Sequence, residues 1–329
     1  MQAVMLVGGF GTRLRPLTYR LPKPLVPVMG KPLMMHVIDA LPPEVDNLII
    51  PVNYKRDMME EFIAQRDLSV NIEIMDEPEA LGTAGAVKNV EAEIDRGETF
   101  LVLNGDIVAS VDLSEFVAFH KSKGGVASIT FWEVEDPTPY GVAQLDDNNR
   151  IIRFQEKPKR EEAFSRLINA GAYALEPEVL DEIGPGFISM EREIFPKLIS
   201  KGMYGFTFEG CWADCGTPEG LIEAHLALMK QSDWYVAESA YTYNSNLIRP
   251  FCIEPECRIV NARIGPGAYV GSGSVILDES EIINSVLLRG SRIGRYCRLE
   301  NCIVDENYQI PNGTQIKDMV FAQLPESED

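Results

Sequence analysis

The chain has 329 residues, 45% of them hydrophobic, and a formal charge of −20 at pH 7. That is enough apolar material for two domains with a large core, and the acidic surplus argues against general nucleic-acid binding. No apolar run approaches the ~20 residues that span a bilayer, and no basic stretch precedes an apolar one at the N-terminus, so neither a membrane segment nor a signal peptide is expected and the compartment reads as cytoplasmic.

The first apolar run, residues 4–7, predicts a buried strand. It ends in Gly8, Gly9 and Gly11. Without a Cβ, such a loop can turn tightly and present bare N–H groups to an anion. Arg13, Arg15, Arg20, Lys23 and Lys31 follow, and the first acidic residue is Asp39. A basic, glycine-rich opening in an acidic chain suits polyphosphate. The run Gly9-Phe10-Gly11-Thr12-Arg13-Leu14 lacks the third glycine of a dinucleotide-binding turn, and no G-K-[ST] makes it a P-loop. An ordinary turn with solvated arginines stays open on these residues alone. Pro22 and Pro24 weigh against it, because they are expected to hold Lys23 on an extended backbone, as a ligand-directed lysine needs.

Helical and strand patterns then alternate. Helices are expected at 33–41, 57–65 and 84–94, and strands at 47–52, 70–75 and 99–103, the last closing on Asn104-Gly105-Asp106. This alternation predicts an α/β domain with a doubly wound, mostly parallel sheet. Ligands of such sheets bind at the carboxyl ends of the strands, where the glycine loop and Asp106 both fall. Between 128 and 204 the pattern is less regular, with strand-like pieces at 127–134 and 151–154. Helical periods return at 191–199 and 219–229. The histidines His36, His120 and His225 have no triad partners and read as helix-face residues.

A polar stretch at 231–246 separates a first domain, expected over 1–235, from a second domain over 247–320. There Ile253, Ile259, Ile264, Val270, Ile276, Ile282, Leu288, Ile293, Leu299, Val304, Ile310 and Ile316 recur every five or six residues. Small residues such as Cys257, Ala268, Ser274 and Cys297 stand four places later. This is the grammar of hexapeptide repeats in a left-handed parallel β-helix, here of about three and a half coils. The acidic tail, 324–329, is expected to be disordered. Six cysteines form no C-x-x-C pair and, with only three histidines, read as free thiols and not a zinc site.

Asp106 and Asp214, the latter within Cys211-Trp212-Ala213-Asp214-Cys215-Gly216-Thr217-Pro218, are isolated carboxylates. Together with substrate phosphates, two carboxylates suit Mg²⁺. Alone, Asp106 also reads as a turn residue, and the second stretch as a helix entry capped by Thr217. Glu156-Lys157-Pro158 repeats the device of a cation beside a proline, and a surface ion pair is its plain alternative.

Gly8-Gly9-Phe10-Gly11-Thr12-Arg13-Leu14 with Pro22-Lys23-Pro24 resembles the signature of the sugar-1-phosphate nucleotidyltransferases. Val7 departs from that signature, which usually has alanine there. The resemblance implies a reaction of NTP with a sugar 1-phosphate giving NDP-sugar and pyrophosphate. It implies catalytic roles for Arg13 and Lys23. It implies nucleotide contacts at Leu6, Gly8, Gly9, Gly11, Thr12, Arg13 and Lys23, and at Gly82 and Thr83 in Leu81-Gly82-Thr83-Ala84-Gly85. The sugar phosphate would be held at Asp106, Gly141, Glu156, Lys157 and Asn169, and Mg²⁺ at Asp106 and Asp214. Among members, the motif run most resembles the mannose-1-phosphate guanylyltransferases. Glu77, ahead of Pro78, leans the same way, since a carboxylate accepts the paired donors of guanine where pyrimidine users place glutamine. Enzymes using dTTP, UTP or ATP with glucose 1-phosphate are the alternative. A non-catalytic nucleotide-sugar-binding subunit is a rival of another class, and a bifunctional acyltransferase is a second. Against the first, all five charges (Arg13, Lys23, Asp106, Lys157, Asp214) are present; against the second, no histidine follows His225. The β-helix then reads as an assembly or regulatory module, with a homo-oligomer expected.

Overall fold

The computed structural model describes residues 1–231 and 234–324. Residues 325–329, which carry most of the tail expected to be disordered, lie outside the described residues. The chain divides into two compact units. One joins Met1–Phe10 to Met34–Trp212; the other joins Gly11–Leu33 to the chain from Ala213 onward.

The first unit is built on a nine-stranded sheet. Gln2–Leu6 lies between Asn47–Val52 and Phe100–Asn104 and pairs with both in parallel; Asn71–Asp76 extends this parallel half. The apolar runs of Leu48–Ile50 and Leu101–Val102 are fully buried, as strands covered on both faces must be. The other half is mixed. Leu167–Leu175 runs antiparallel to Phe100–Asn104 and to Ala127–Glu133, and Met203–Thr207 runs parallel to Ala127–Glu133. Helices Gly82–Asn89 and Phe195–Gly202 bury Ala84, Val87, Phe195 and Leu198 against the sheet with Val4, Val102, Phe131 and Tyr173. Helix Leu113–Lys123, which the sequence pattern missed, packs on the strands of the mixed half and buries Phe116, Val117 and His120. His120 Nδ1 lies 2.9 Å from Ser128 Oγ and Nε2 lies 3.0 Å from Glu176, and burial lowers its pKa. It is a satisfied core histidine.

The second unit contains a parallel β-helix. Its three sheets have six, five and five strands, so the expected count of about three and a half coils is too low. The extra strands begin at Tyr235, where Tyr241 and Tyr243 point outward and disguise the repeat. Inward residues line up at a spacing of 17, as in Ile253↔Val270↔Leu287↔Val304 and Ile259↔Ile276↔Ile293↔Ile310. The interior residue is thus Leu287, not the expected Leu288, because one side of the coil has five residues, not six. At the corners, Asn244, Asn261, Asn284 and Asn301 take positive φ, which asparagine tolerates. Their amides stack, Asn244 donating to Asn261 and Asn261 to Asp278, Asn284 to Asn301 and Asn301 to Asp318.

One outward face of this β-helix is apolar and buried, with Tyr269, Val286 and Ile303 at 2% exposure or less. Tyr269 packs its ring on His225 of helix Pro218–Gln231 and its hydroxyl against Gly30. Arg20 donates to Gln323 at 3.0 Å. The segment 11–33 is therefore folded together with the β-helix.

Candidate active site

In the first unit the glycine loop follows directly from the end of Gln2–Leu6. The neighbouring strand Phe100–Asn104 ends in register with it, Leu6 opposite Asn104, and Gly105 N–H donates to Leu6 O at 2.9 Å. A Cβ on Gly105 would stand 2.8 Å from Val7 Cγ1. This close approach puts Asp106 beside the start of the loop, at the carboxyl ends of parallel strands as expected.

Glu77 lies under the same loop and is 4% exposed. Its Oε1 accepts the Leu81 N–H at 2.9 Å, while Oε2 is buried, has no hydrogen-bond partner among the described residues and lies 3.0 Å from where a Gly8 Cβ would be. Burial raises its pKa, and the Leu81 bond opposes the rise. Gly82 has φ 73°, and a Cβ there would meet Ile188 O at 2.7 Å, so helix Gly82–Asn89 can start only on glycine. Thr83 Oγ1 donates to Glu191 at 2.7 Å.

Gly141 stands opposite Glu156 in the antiparallel pair of strands Gly141–Leu145 and Ile151–Glu156. A Cβ on Gly141 would fall 2.8 Å from Glu156 Oε2, so the missing side chain leaves room for the carboxylate. Burial first, and then the charge of Glu191, raise the Glu156 pKa; Lys157 and Arg192 oppose them. Lys157 has φ 47° and its side chain is 56% exposed. A lysine in that left-handed region carries backbone strain of order 1–3 kcal/mol. Its N–H donates to Tyr140 O, and Nζ lies 3.8 Å from Glu156. Asn169 sits where Leu167–Leu175 bulges: Oδ1 accepts from Gly171 N–H at 3.0 Å and Nδ2 donates to the Tyr173 hydroxyl at 2.9 Å.

In the second unit, Gly11 has φ 58° and its hydrogen faces Thr18 and Lys23, where a Cβ would stand 2.8 Å from Thr18 Cγ2. Thr18 Oγ1 donates to Gly11 O at 2.8 Å, which ties the loop carrying Thr12 and Arg13 to the turn carrying Lys23. The extended backbone expected at Lys23 is confined to Pro22, with ψ 145°; Lys23 itself opens a 3-10 turn over Lys23–Leu25. Proline is tolerated in a first helical turn, and Pro24 occupies that place. Asp214 Oδ1 accepts the Gly216 N–H at 2.8 Å. A Cβ on Gly216 would lie 2.8 Å from both that oxygen and Arg13 Nη2, so carboxylate and guanidinium converge on a bare glycine. Thr217 caps the following helix by accepting the Gly220 N–H at 3.1 Å, as expected.

The donor set bears on the metal. Among the described residues no group of three or more Cys, His, Asp or Glu side chains is arranged to hold an ion. Asp106 belongs to the first unit and Asp214 to the second, and each offers the hard oxygen ligands that divalent cations such as magnesium take. All six cysteines are buried free thiols.

Glu191, which the sequence pattern does not single out, contacts Thr83 and Tyr173 and acts on the charge of Glu156. It lay inside the helical period expected at 191–199, where an acid near a helix start is unremarked.

The family described as nucleotidyl transferase matches residues 2–231, and one described as a GlmU-like C-terminal hexapeptide region matches 237–318. The chain is 34% identical to mannose-1-phosphate guanylyltransferase 1 of Arabidopsis thaliana over 98% of its own length and 90% of the relative's. It is 35% identical to the mannose-1-phosphate guanyltransferase of Eremothecium gossypii, covering 98% and 94%. Among solved structures, HddC of Yersinia pseudotuberculosis complexed with GMP-PN superposes with a TM-score of 0.57 and 28% identity over 68% of this chain and 97% of that one. No helix among the described residues is long and apolar enough to cross a membrane. With its glycine loop, its strand-end carboxylate and its left-handed β-helix of hexapeptide repeats, the chain belongs to the nucleotidyl transferase family, as a sugar-1-phosphate nucleotidyltransferase.

Proposed function

We propose that this enzyme transfers GMP from GTP to mannose 1-phosphate, releasing pyrophosphate. The observation that carries the choice of base is Glu77, whose buried Oε2 has no partner among the described residues. A buried acceptor without a donor is costly, and guanine supplies donors at N1 and at the 2-amino group. Uracil and thymine present a donor beside a carbonyl and match a carboxylate less well. The relatives' names point to the same substrates.

A phosphate monoester has a second pKa near 6, so ~90% of mannose 1-phosphate is already dianionic at pH 7 and needs no general base. An oxygen of that phosphate attacks the α-phosphorus of GTP. The bond from α-phosphorus to the α–β bridging oxygen breaks, and pyrophosphate leaves with its electron pair. The work of the protein is positioning and charge neutralisation. Arg13 and Lys23 hold the triphosphate and the departing pyrophosphate, with the loop residues Leu6, Gly8, Gly9, Gly11 and Thr12 giving backbone contacts and Gly82 and Thr83 flanking the base. Lys157 holds the incoming phosphate, while Glu156, Asn169 and the space over Gly141 receive the sugar. The family uses a divalent metal; we assign Mg²⁺ to Asp106 and Asp214, where it would neutralise phosphate charge. The buried free thiols suit a reducing cytoplasm, and we assign the β-helix to assembly of protomers.

Pyrophosphate release over a grid of five NTPs against several sugar 1-phosphates tests the assignment. GTP with mannose 1-phosphate is expected to give the highest kcat/KM. A preference for dTTP, UTP or ATP with glucose 1-phosphate overturns it.

A further inference from the structure

Glu191 has no assigned role, yet segments from both sides of the first unit's site meet at it. It sits in a π-turn, Met190–Ile194, that leads into helix Phe195–Gly202. Such turns are rare and concentrate at functional sites. Its Oε2 accepts from Thr83 Oγ1 and from Ser189 Oγ, each at 2.7 Å. Its Oε1 faces the buried Tyr173 hydroxyl at 3.4 Å, and that hydroxyl accepts from Asn169 Nδ2 at 2.9 Å. The backbone fastens the same segment to the nucleotide loop: Ala84 N–H and Gly85 N–H donate to Ile188 O, and Ile188 N–H donates to Leu81 O at 2.8 Å. A continuous chain of hydrogen bonds therefore runs from Asn169, on the sugar side, to Thr83, at the start of the helix beside Glu77.

One link in that chain is slack. An O–H···O bond is usually about 2.7–2.8 Å, so the 3.4 Å from Tyr173 to Glu191 leaves room to tighten. Contacts of this kind often close only when ligand is bound. A sugar hydroxyl that draws on Asn169 reorients Tyr173 toward Glu191. The carboxylate, already held by Thr83 and Ser189, passes the restraint to the nucleotide loop. We infer that Glu191 is a positioning residue that links the nucleotide loop to the sugar-phosphate pocket, so that filling either one tightens the other. The inference rests on the substrate sides assigned under the proposed function.

Steady-state kinetics of Thr83→Val, Tyr173→Phe and Glu191→Gln test it through effects that cross the site. Thr83→Val, on the nucleotide side, is expected to raise KM for the sugar phosphate by about 5-fold or more, and Tyr173→Phe to raise KM for the NTP similarly. In a Glu191→Gln background each cross-effect disappears, while Glu191→Asp restores part of it. A second readout is the acid limb of kcat/KM for the sugar phosphate. The groups facing Glu156 are Glu191, Lys157 and Arg192, with neutral Tyr173 beside them. Removing the Glu191 charge lowers the Glu156 pKa, so the limb moves to lower pH; a limb that stays in place means that Glu191 does not act on the sugar pocket. If Thr83→Val alters only the NTP term and Tyr173→Phe only the sugar term, the linkage is wrong. Should Glu191→Gln fail to fold, the other two variants decide alone. If the wild type does not use GTP with mannose 1-phosphate, the proposed substrates fall, and the same variants are measured with the pair it does use, where the cross-effects still decide the linkage.

Discussion

Substituting Glu77 by glutamine separates the base reading from every other assignment. In the wild type, Oε1 is committed to the Leu81 N–H and Oε2 is the open acceptor. In Glu77→Gln the carbonyl keeps the Leu81 bond and the NH₂ group takes the place of Oε2. It then faces guanine's donors with donors of its own. A buried polar group left unpaired costs ~1–3 kcal/mol, so the ratio of kcat/KM for GTP over UTP is expected to fall by a factor of about 5–150, centred above 10-fold. Stability moves the other way. The raised pKa of Glu77 means the folded state binds its proton more tightly than the unfolded chain does. Stability from this group is thus lost as pH rises from the ordinary glutamate value through the raised one. An amide has no such loss, so the Tm of the variant relative to wild type should climb between pH 4 and pH 7. The assay is pyrophosphate release with GTP and with UTP at fixed mannose 1-phosphate, alongside thermal melts across that range. An unchanged nucleotide ratio would falsify the guanine contact, and a Tm difference that does not climb from pH 4 to pH 7 would refute the burial argument.

Lys23→Ala should lower kcat by about 10²–10³ without lowering Tm, the usual cost of one transition-state charge donor; near-normal turnover removes Lys23 from the mechanism. Chelator should abolish turnover and Mg²⁺ restore it, with Asp214→Asn needing more metal for half-maximal rate; full activity in metal-free buffer rules the assignment out. The intact chain should sediment or scatter as an oligomer, and a monomer at working concentration refutes the assembly role. Cutting the chain after Asn246 is a poorer test of that role, because it also strips Tyr269 from Gly30.

Features set by local chemistry could be read from the residues. The glycines at 8, 9 and 11, the strand Asn47–Val52 and the inward aliphatics of the β-helix all follow from backbone freedom or a fixed period. What could not be read depends on long-range packing. Helix Leu113–Lys123 has a weak apolar stripe and is held by Phe116 against Phe206, far along the chain. The first coil hides behind outward tyrosines, and a five-residue side moves the interior from 288 to 287. Glu191 acquires its place only when Thr83 and Tyr173, distant in sequence, fold onto it.

The pairing of Gly11–Leu33 with the chain from Ala213 onward has a consequence for synthesis. The segment bearing Arg13 and Lys23 emerges from the ribosome well before the surface it packs on: Gln323 follows its partner Arg20 by 303 residues, and Tyr269 comes long after Gly30. At ~5–20 residues per second, that interval is on the order of 15–60 s. Through it the basic loop waits without its support, while the large sheet of the other unit can already fold. A chain cut before Tyr269 would therefore keep most of the first unit and leave residues 11–33 without the surface they pack on.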